Sequence, residues 1–328
     1  RWGSAARNRL DRWARTRPRD YWAELTVGVE GDSNVVLRGD GVDLPSNISD
    51  KSDGRAIWQA NAGWQFLRTR DWGAGAMLTY TGTAQFELSE FNYHYPVATA
   101  WVSRRISDNL TANLQGDYAY GWVDAQPFVS EVSTTPSLLY TWARDTYTRL
   151  FGRFSWTNYY FDADGSAVWN PSRDTLIESQ TKDDRNRDGR AEQVGLEQGL
   201  PIDVINTQLT GTVLFTRYHA QGTEYSFRGT GAYLQSETNL PFKFSLLLGA
   251  GYTYRGYLNR TTFENEPPST SDIRHDHVVD TEVGLERPIF YDWLIASARW
   301  HYTNNASNVP VFDYDRSIIG GYLTFRLP

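Results

Sequence analysis

The chain has 328 residues and a formal net charge of −7, with a mean hydropathy of −0.55; it can bury a large core and has no electrostatic reason to bind nucleic acid. No apolar run reaches the roughly 18 residues of a spanning helix, and Cys is absent, which fits a chain that enters an oxidising compartment unfolded. Aromatic residues make up 15%, led by Tyr and Trp, the types that gather where an apolar phase meets water.

Residues 1–20, "RWGSAARNRLDRWARTRPRD", interleave Arg with Trp2, Leu10 and Trp13, and Pro18 stops any helix. This stretch reads as a basic periplasmic linker or short amphipathic helix against lipid headgroups, a partner or a barrel mouth; a solvated connector is the alternative. The start at Arg1, without Met or an apolar signal region, is expected of a mature or truncated form.

From Tyr21 onward the period is two. Alternating segments begin near Tyr21, Arg55, Trp72, Tyr93, Leu110, Val129, Tyr147, Arg190, Leu209, Tyr225, Pro241, Val278, Trp293 and Arg316, fourteen in all. Between Leu110 and Trp122 one face reads Leu110, Ala112, Leu114, Gly116, Tyr118, Tyr120, Trp122, and the other Thr111, Asn113, Gln115, Asp117, Ala119, Gly121. In "PFKFSLLLGAGYTYRGYL" the lists are Phe242, Phe244, Leu246, Leu248, Ala250, Tyr252, Tyr254 against Lys243, Ser245, Leu247, Gly249, Gly251, Thr253, Arg255. Strands send alternate side chains to opposite faces. Soluble sandwich strands mostly run to about five or six residues, whereas these alternations last about ten to fourteen, as in membrane barrels. Aromatic residues also gather at segment ends, as interfacial girdles would. The expected fold is therefore all-β: a transmembrane antiparallel up-and-down barrel of 21–328, about fourteen strands, in the bacterial outer membrane. Lipid lies against the apolar face and water against the other.

Connection lengths set its orientation. Thr69–Asp71, Ser107–Asn109, Ala143–Thr146, Asp203–Asn206, Thr238–Pro241 and Pro288–Asp292 are short. They alternate with Gly31–Gly54, Gln85–Asn92, Asp124–Phe128, Asp162–Gly189, His219–Glu224, Asn259–Asp276 and Thr303–Asp315. Short turns are periplasmic in such barrels. Parity requires a strand at Arg190–Pro201, although Gln198 interrupts its apolar face, and it leaves both termini periplasmic.

Ionised groups on the polar lists are expected to line the lumen: Glu24, Glu30, Asp117, Glu131, Asp280, Glu282 and Glu286 against Arg149, Arg153, Arg228, Lys243, Arg255 and Arg299. A one-signed ladder would select ions; opposed charges are expected to pair across a narrow lumen and partly close it. In "DDRNRDGRAE", Asp184, Asn186, Asp188 and Glu192 place oxygen ligands at alternate positions around Gly189, the pattern of a calcium loop. Its twelfth position is Gly195 rather than a bidentate Glu, and a solvated acidic turn is the alternative reading. His275 and His277 share a strand face, a spacing that can chelate a transition metal. None of the His residues stands in a recognisable catalytic motif, so no enzyme activity is expected.

"DYWAELTVGVEGDSNVVL" (Asp20 to Leu37) and the closing "FDYDRSIIGGYLTFRL" resemble the first and last strands of outer-membrane barrels attached to periplasmic tetratricopeptide domains. These are the surface lipoprotein assembly modifiers and, more distantly, exopolysaccharide exporters. The closing run also resembles the last strand of outer-membrane barrels at large, which usually ends on an aromatic residue; Leu327 and Pro328 depart from that. The resemblance implies a helical-repeat domain or envelope complex as a partner besides outer-membrane lipid. It points to a conduit or assembly platform for a polymer or surface protein. A passive diffusion porin and a closed structural barrel anchoring an envelope complex are the alternatives.

Overall fold

The computed structural model describes residues 20–37, 50–143, 145–160, 186–260 and 273–327. Residues 1–19 of the predicted basic linker lie outside them, as does Asp184. Fourteen strands follow one another: β1 (Tyr21–Asp32), β2 (Asp53–Arg68), β3 (Trp72–Gln85), β4 (Tyr93–Arg105), β5 (Leu110–Val123), β6 (Gln126–Ala143), β7 (Thr146–Tyr159), β8 (Gly189–Ile202), β9 (Thr207–Ala220), β10 (Phe227–Asn239), β11 (Ser245–Arg260), β12 (Ile273–Pro288), β13 (Leu294–Ser307) and β14 (Tyr314–Arg326). Each pairs antiparallel with its sequence neighbours, and β14 pairs with β1 to close the barrel. Closure leaves no sheet edge, which is what allows strands to stand in lipid at all.

The alternating pattern sets which face is which. In β1, Leu25, Val27 and Val29 point outward and are exposed, while Glu30 and Asp32 on the opposite parity are buried. Cross-strand register carries that outward face around the barrel: Val27 lies beside Trp58 and Leu323, Leu78 beside Ala98, Leu114 beside Pro136, Leu150 beside Leu196, and Val283 beside Trp300. Side chains such as Leu78, Leu114, Val132, Leu150, Val213 and Leu234 would be costly to leave in water; an apolar phase around the wall accounts for them. Aromatic contacts at strand ends, Tyr120 with Trp122, Tyr140 with Trp142 and Tyr291 with Trp293, mark both rims.

Two connections differ from expectation. β5 and β6 are joined by Asp124 and Ala125 alone, both at positive φ (48° and 59°). That is a two-residue hairpin whose twist matches its strands, rather than the longer loop predicted to reach Phe128. The segment from Pro241 begins with a 3-10 turn, Pro241–Lys243, in which Phe242 and Lys243 both stand at φ 62°. The strand therefore starts at Ser245, and the alternation predicted from Phe242 holds only from Leu246 onward. Tyr21 and Arg326 lie at the same end as the short turns, which is the periplasmic end by the loop-length rule.

Candidate functional site

The candidate site is the lumen wall. Its inward positions are mostly Thr, Ser, Gln, Asn and Gly, interrupted by charged residues and a set of aromatic rings. Of the predicted lumen residues, Glu24, Glu30, Asp117, Glu131, Arg149, Arg153, Arg255, Asp280, Glu282, Glu286 and Arg299 occupy inward-facing positions. Two do not. Arg228 shares the exposed outward face of β10 with Ala232 and Leu234. The sequence misleads there because the inward face of β10, with Phe227 and Tyr233, is itself aromatic and looks lipid-facing. Lys243 sits in the short-turn end, its side chain 72% exposed, 3.1 Å from Asp292 of the next turn.

Among the described residues the ion pairs close along the wall rather than across the lumen. Ion pairs on the wall join neighbouring strands: Arg149 Nη2 to Glu197 Oε2 at 2.7 Å between β7 and β8, Arg153 to Glu131 between β7 and β6, and Arg299 to Glu286 at 3.9 Å between β13 and β12. Arg326 Nε donates to Glu24 Oε2 at 2.8 Å between β14 and β1. The expected closure by cross-lumen pairing is thereby corrected: side chains next to one another in register meet first, and no carboxylate need be reached from the far wall. Asp117 is held by neutral donors, Thr99 Oγ1 at 2.7 Å, Gln115 Nε2 at 2.8 Å and Ser133 Oγ at 3.2 Å. Glu282 has no hydrogen bond or ion pair among the described residues; Oε2 stands 3.9 Å from the position a Cβ would take on Gly249.

Inward aromatic rings lie along the wall rather than across it. A Cβ added at Gly63 would meet the Trp22 indole at 2.2 Å, and one at Gly75 would meet Trp101 at the same distance. Phe151 lies in the same way on Gly195, Tyr147 on Gly199, and Tyr322 on Gly28. These glycines are bare patches of the neighbouring strand onto which a ring folds flat. Trp22 and Trp101 then approach each other with centroids 6.0 Å apart near the periplasmic end.

At the long-loop end, groups that sequence reading did not connect form two buried clusters. Where β14, β1 and β2 meet, Arg55 bonds Glu30 (Nε to Oε2, 2.6 Å) and Asp32 (Nη1 to Oδ2, 3.1 Å), Arg316 bonds Asp32, and Tyr322 donates to Glu30 Oε1 at 2.6 Å. On β12, Arg274 Nη2 donates to the fully buried Asp276 at 2.6 Å and stacks between Tyr257 and Phe312. Asp276 thus serves a structural pair, while His275 and His277 face outward, His277 Nδ1 lying 2.7 Å from the Tyr252 hydroxyl. Residue parity would have placed Arg55 and Arg316 inside; only the register shows that they converge.

Of the predicted calcium ligands, Asp184 lies outside the described residues, and Asn186, Asp188 and Glu192 are placed as follows. Asp188 Oδ1 accepts the Tyr159 N–H at 2.6 Å, and Asn186 Oδ1 accepts the Asp188 N–H at 2.7 Å. Because β8 begins at Gly189, Glu192 already belongs to the ladder and faces outward beside Phe154 and Arg217. Among the described residues no group of three His, Cys, Asp or Glu could hold a metal ion.

No family model matches this sequence, and a search of curated proteins finds no relative. Among solved structures, the chain is similar to a bacterial polysaccharide outer membrane secretin, at 11% identity and a TM-score of 0.46, with 93% of this chain and 98% of that chain covered. It is similar to OmpT of Vibrio cholerae at 10% identity and a TM-score of 0.49, covering 94% and 97%. OccK2 (OpdF) of Pseudomonas aeruginosa, in complex with glucuronate, matches at 9% identity and a TM-score of 0.45, covering 94% and 99%. Likeness of this order says nothing about cargo. The closed fourteen-stranded barrel with an apolar outer face has the architecture of a bacterial outer-membrane protein.

Proposed function

We propose that this barrel is an outer-membrane conduit for a hydrophilic polymer. The observation that carries the reading is the disposition of the wall: among the described residues ion pairs such as Arg149–Glu197 and Arg153–Glu131 close between neighbouring strands, and rings such as Trp22 and Phe151 lie flat on it. Hydroxyl and amide groups alternating with flat aromatic faces suit a chain of sugar units, whose polar edges and apolar ring faces need both kinds of contact. The resemblance of the first and last strands to barrels attached to periplasmic tetratricopeptide domains supports a polymer or surface protein as cargo. It also supports a helical-repeat partner on the short-turn side. No catalytic step belongs to this reading.

The test is current blockade by neutral oligosaccharides of graded length added to the barrel in a planar bilayer. A polymer conduit gives blockades that lengthen with chain length. A passive porin, the second reading, is favoured by the same uncrossed wall; it gives brief blockades by the smallest sugars and none that grow with length.

A further inference from the structure

The outward face of β8 to β10 breaks its apolar pattern near the long-loop rim. Arg217 on β9 stands directly opposite Arg228 on β10 and, on its other side, opposite Glu192 on β8. One step nearer the rim, Arg190 on β8 stands beside His219. Arg190, Arg217 and Arg228 make no hydrogen bond or ion pair with the described residues, and Arg217 Nε is shut off from solvent without an acceptor. Like charges directly opposite on a sheet face repel, so Arg217 against Arg228 is a costly pair unless an anion lies between them. Outward aromatic contacts stand near the rim on other strands, as with Tyr80 stacked on His94, or Trp300 on Tyr302. The facing pair of arginines is confined to β9 and β10 among the paired strand positions.

Beneath it, on the same panel, lies a shallow apolar groove of about 500 Å³ whose outward lining includes Leu196, Val213, Ala232, Leu234, Ala250 and Tyr252. It is the small residues, Ala232 and Ala250, that open it. Register places Val213, Ala232 and Tyr252 two rows below Arg217 and Arg228 on the strands.

We propose that this panel binds one phosphorylated lipid of the outer leaflet, with a headgroup phosphate bridging Arg217 and Arg228 and an acyl chain lying in the groove. Guanidinium groups match phosphate oxygens in pairs, and a phosphate between the two removes their repulsion. Glu192 beside Arg217 limits the site to an anion approaching from the β10 side. A water-soluble phosphate would satisfy the arginines and leave the groove unexplained; a lipid accounts for both.

The experiment is native mass spectrometry of the barrel in zwitterionic detergent with added bisphosphorylated lipid A, its dephosphorylated form and inorganic phosphate. Wild type should retain the bisphosphorylated lipid and neither of the others. Arg217→Gln with Arg228→Gln should weaken retention about thirtyfold, taking roughly fivefold for each arginine at a membrane surface. Ala232→Phe, which fills the groove and leaves both arginines, should weaken it as well, and folding of each variant is verified by heat-modifiable gel migration. Retention by the double variant equal to wild type, equal binding of the dephosphorylated lipid, or binding of inorganic phosphate as tight as that of the lipid would overturn the proposal.

Discussion

Ala250 and Gly249 are neighbours on β11, almost without side chains, and face opposite solvents, so the same substitution at each isolates the solvent. Ala250 points outward, between Leu234 and Thr281 in register, midway between Leu246 and Tyr254 on its own strand. Four residues to either side, at about 3.3 Å per residue on a tilted strand, leave it roughly 10 Å from each edge of the belt. An Arg at that depth costs about 2–4 kcal/mol. Gly249 points inward, and the nearest atoms to an added Cβ are Glu282 Cβ at 3.4 Å and Oε2 at 3.9 Å, which is ordinary contact. Gly249→Arg can place its guanidinium in water near the Glu282 carboxylate, which has no partner among the described residues, a pairing worth about 0–1 kcal/mol. The two variants should therefore differ by at least about 2 kcal/mol in folding free energy, roughly thirtyfold in the folding equilibrium. Urea titration in phospholipid vesicles, followed by tryptophan fluorescence, measures this. Equal losses, or the larger loss at Gly249, would refute the assignment of lipid to the face of Leu248, Ala250 and Tyr252.

Arg55→Ala leaves Glu30 and Asp32, with side chains 1% and 0% exposed, short of their shared cation; a loss of about 3–5 kcal/mol is expected by the same titration. Gly63→Val drives Trp22 off the wall, since a Cβ there meets the indole at 2.2 Å, so the single-channel conductance should fall. Glu282 carries a charge with no cation among the described residues; Glu282→Gln should reduce a preference for cations, read as a reversal potential moved toward anions under a salt gradient. A cysteine at Asn186 should be labelled by an impermeant maleimide on intact cells and one at Asp108 should not; the reverse pattern would invert the barrel.

Much of this fold is legible in the chain because lipid and water impose a period of two on every strand. Thirteen residues of β5 alone separate Leu114 and Tyr118 from Gln115 and Asp117 without knowledge of any neighbour, and the structure keeps that separation. Register is another matter. It depends on which residues of adjacent strands meet, and the sequence of one strand does not state this. Hence Arg149 and Arg153 were readable as lumen residues, but not that Glu197 and Glu131 would reach them from the strands on either side. Arg228 fails for a related reason. Near the rim both faces of β10 carry aromatic or small residues, and only its pairing with Arg217 and Gly256 fixes the outward one. Lys243 was misplaced by a strand start, because a positive-φ turn delays β11.

Conductance of the purified wild-type barrel in a planar bilayer tests most directly the claim that its charges are satisfied along the wall and leave the lumen open. Pairs such as Arg149–Glu197, closed between neighbouring strands, predict long, ohmic openings with a weak cation preference. A barrel that stays electrically silent, and conducts only after Arg149, Arg153 or Arg299 is neutralised, would contradict it.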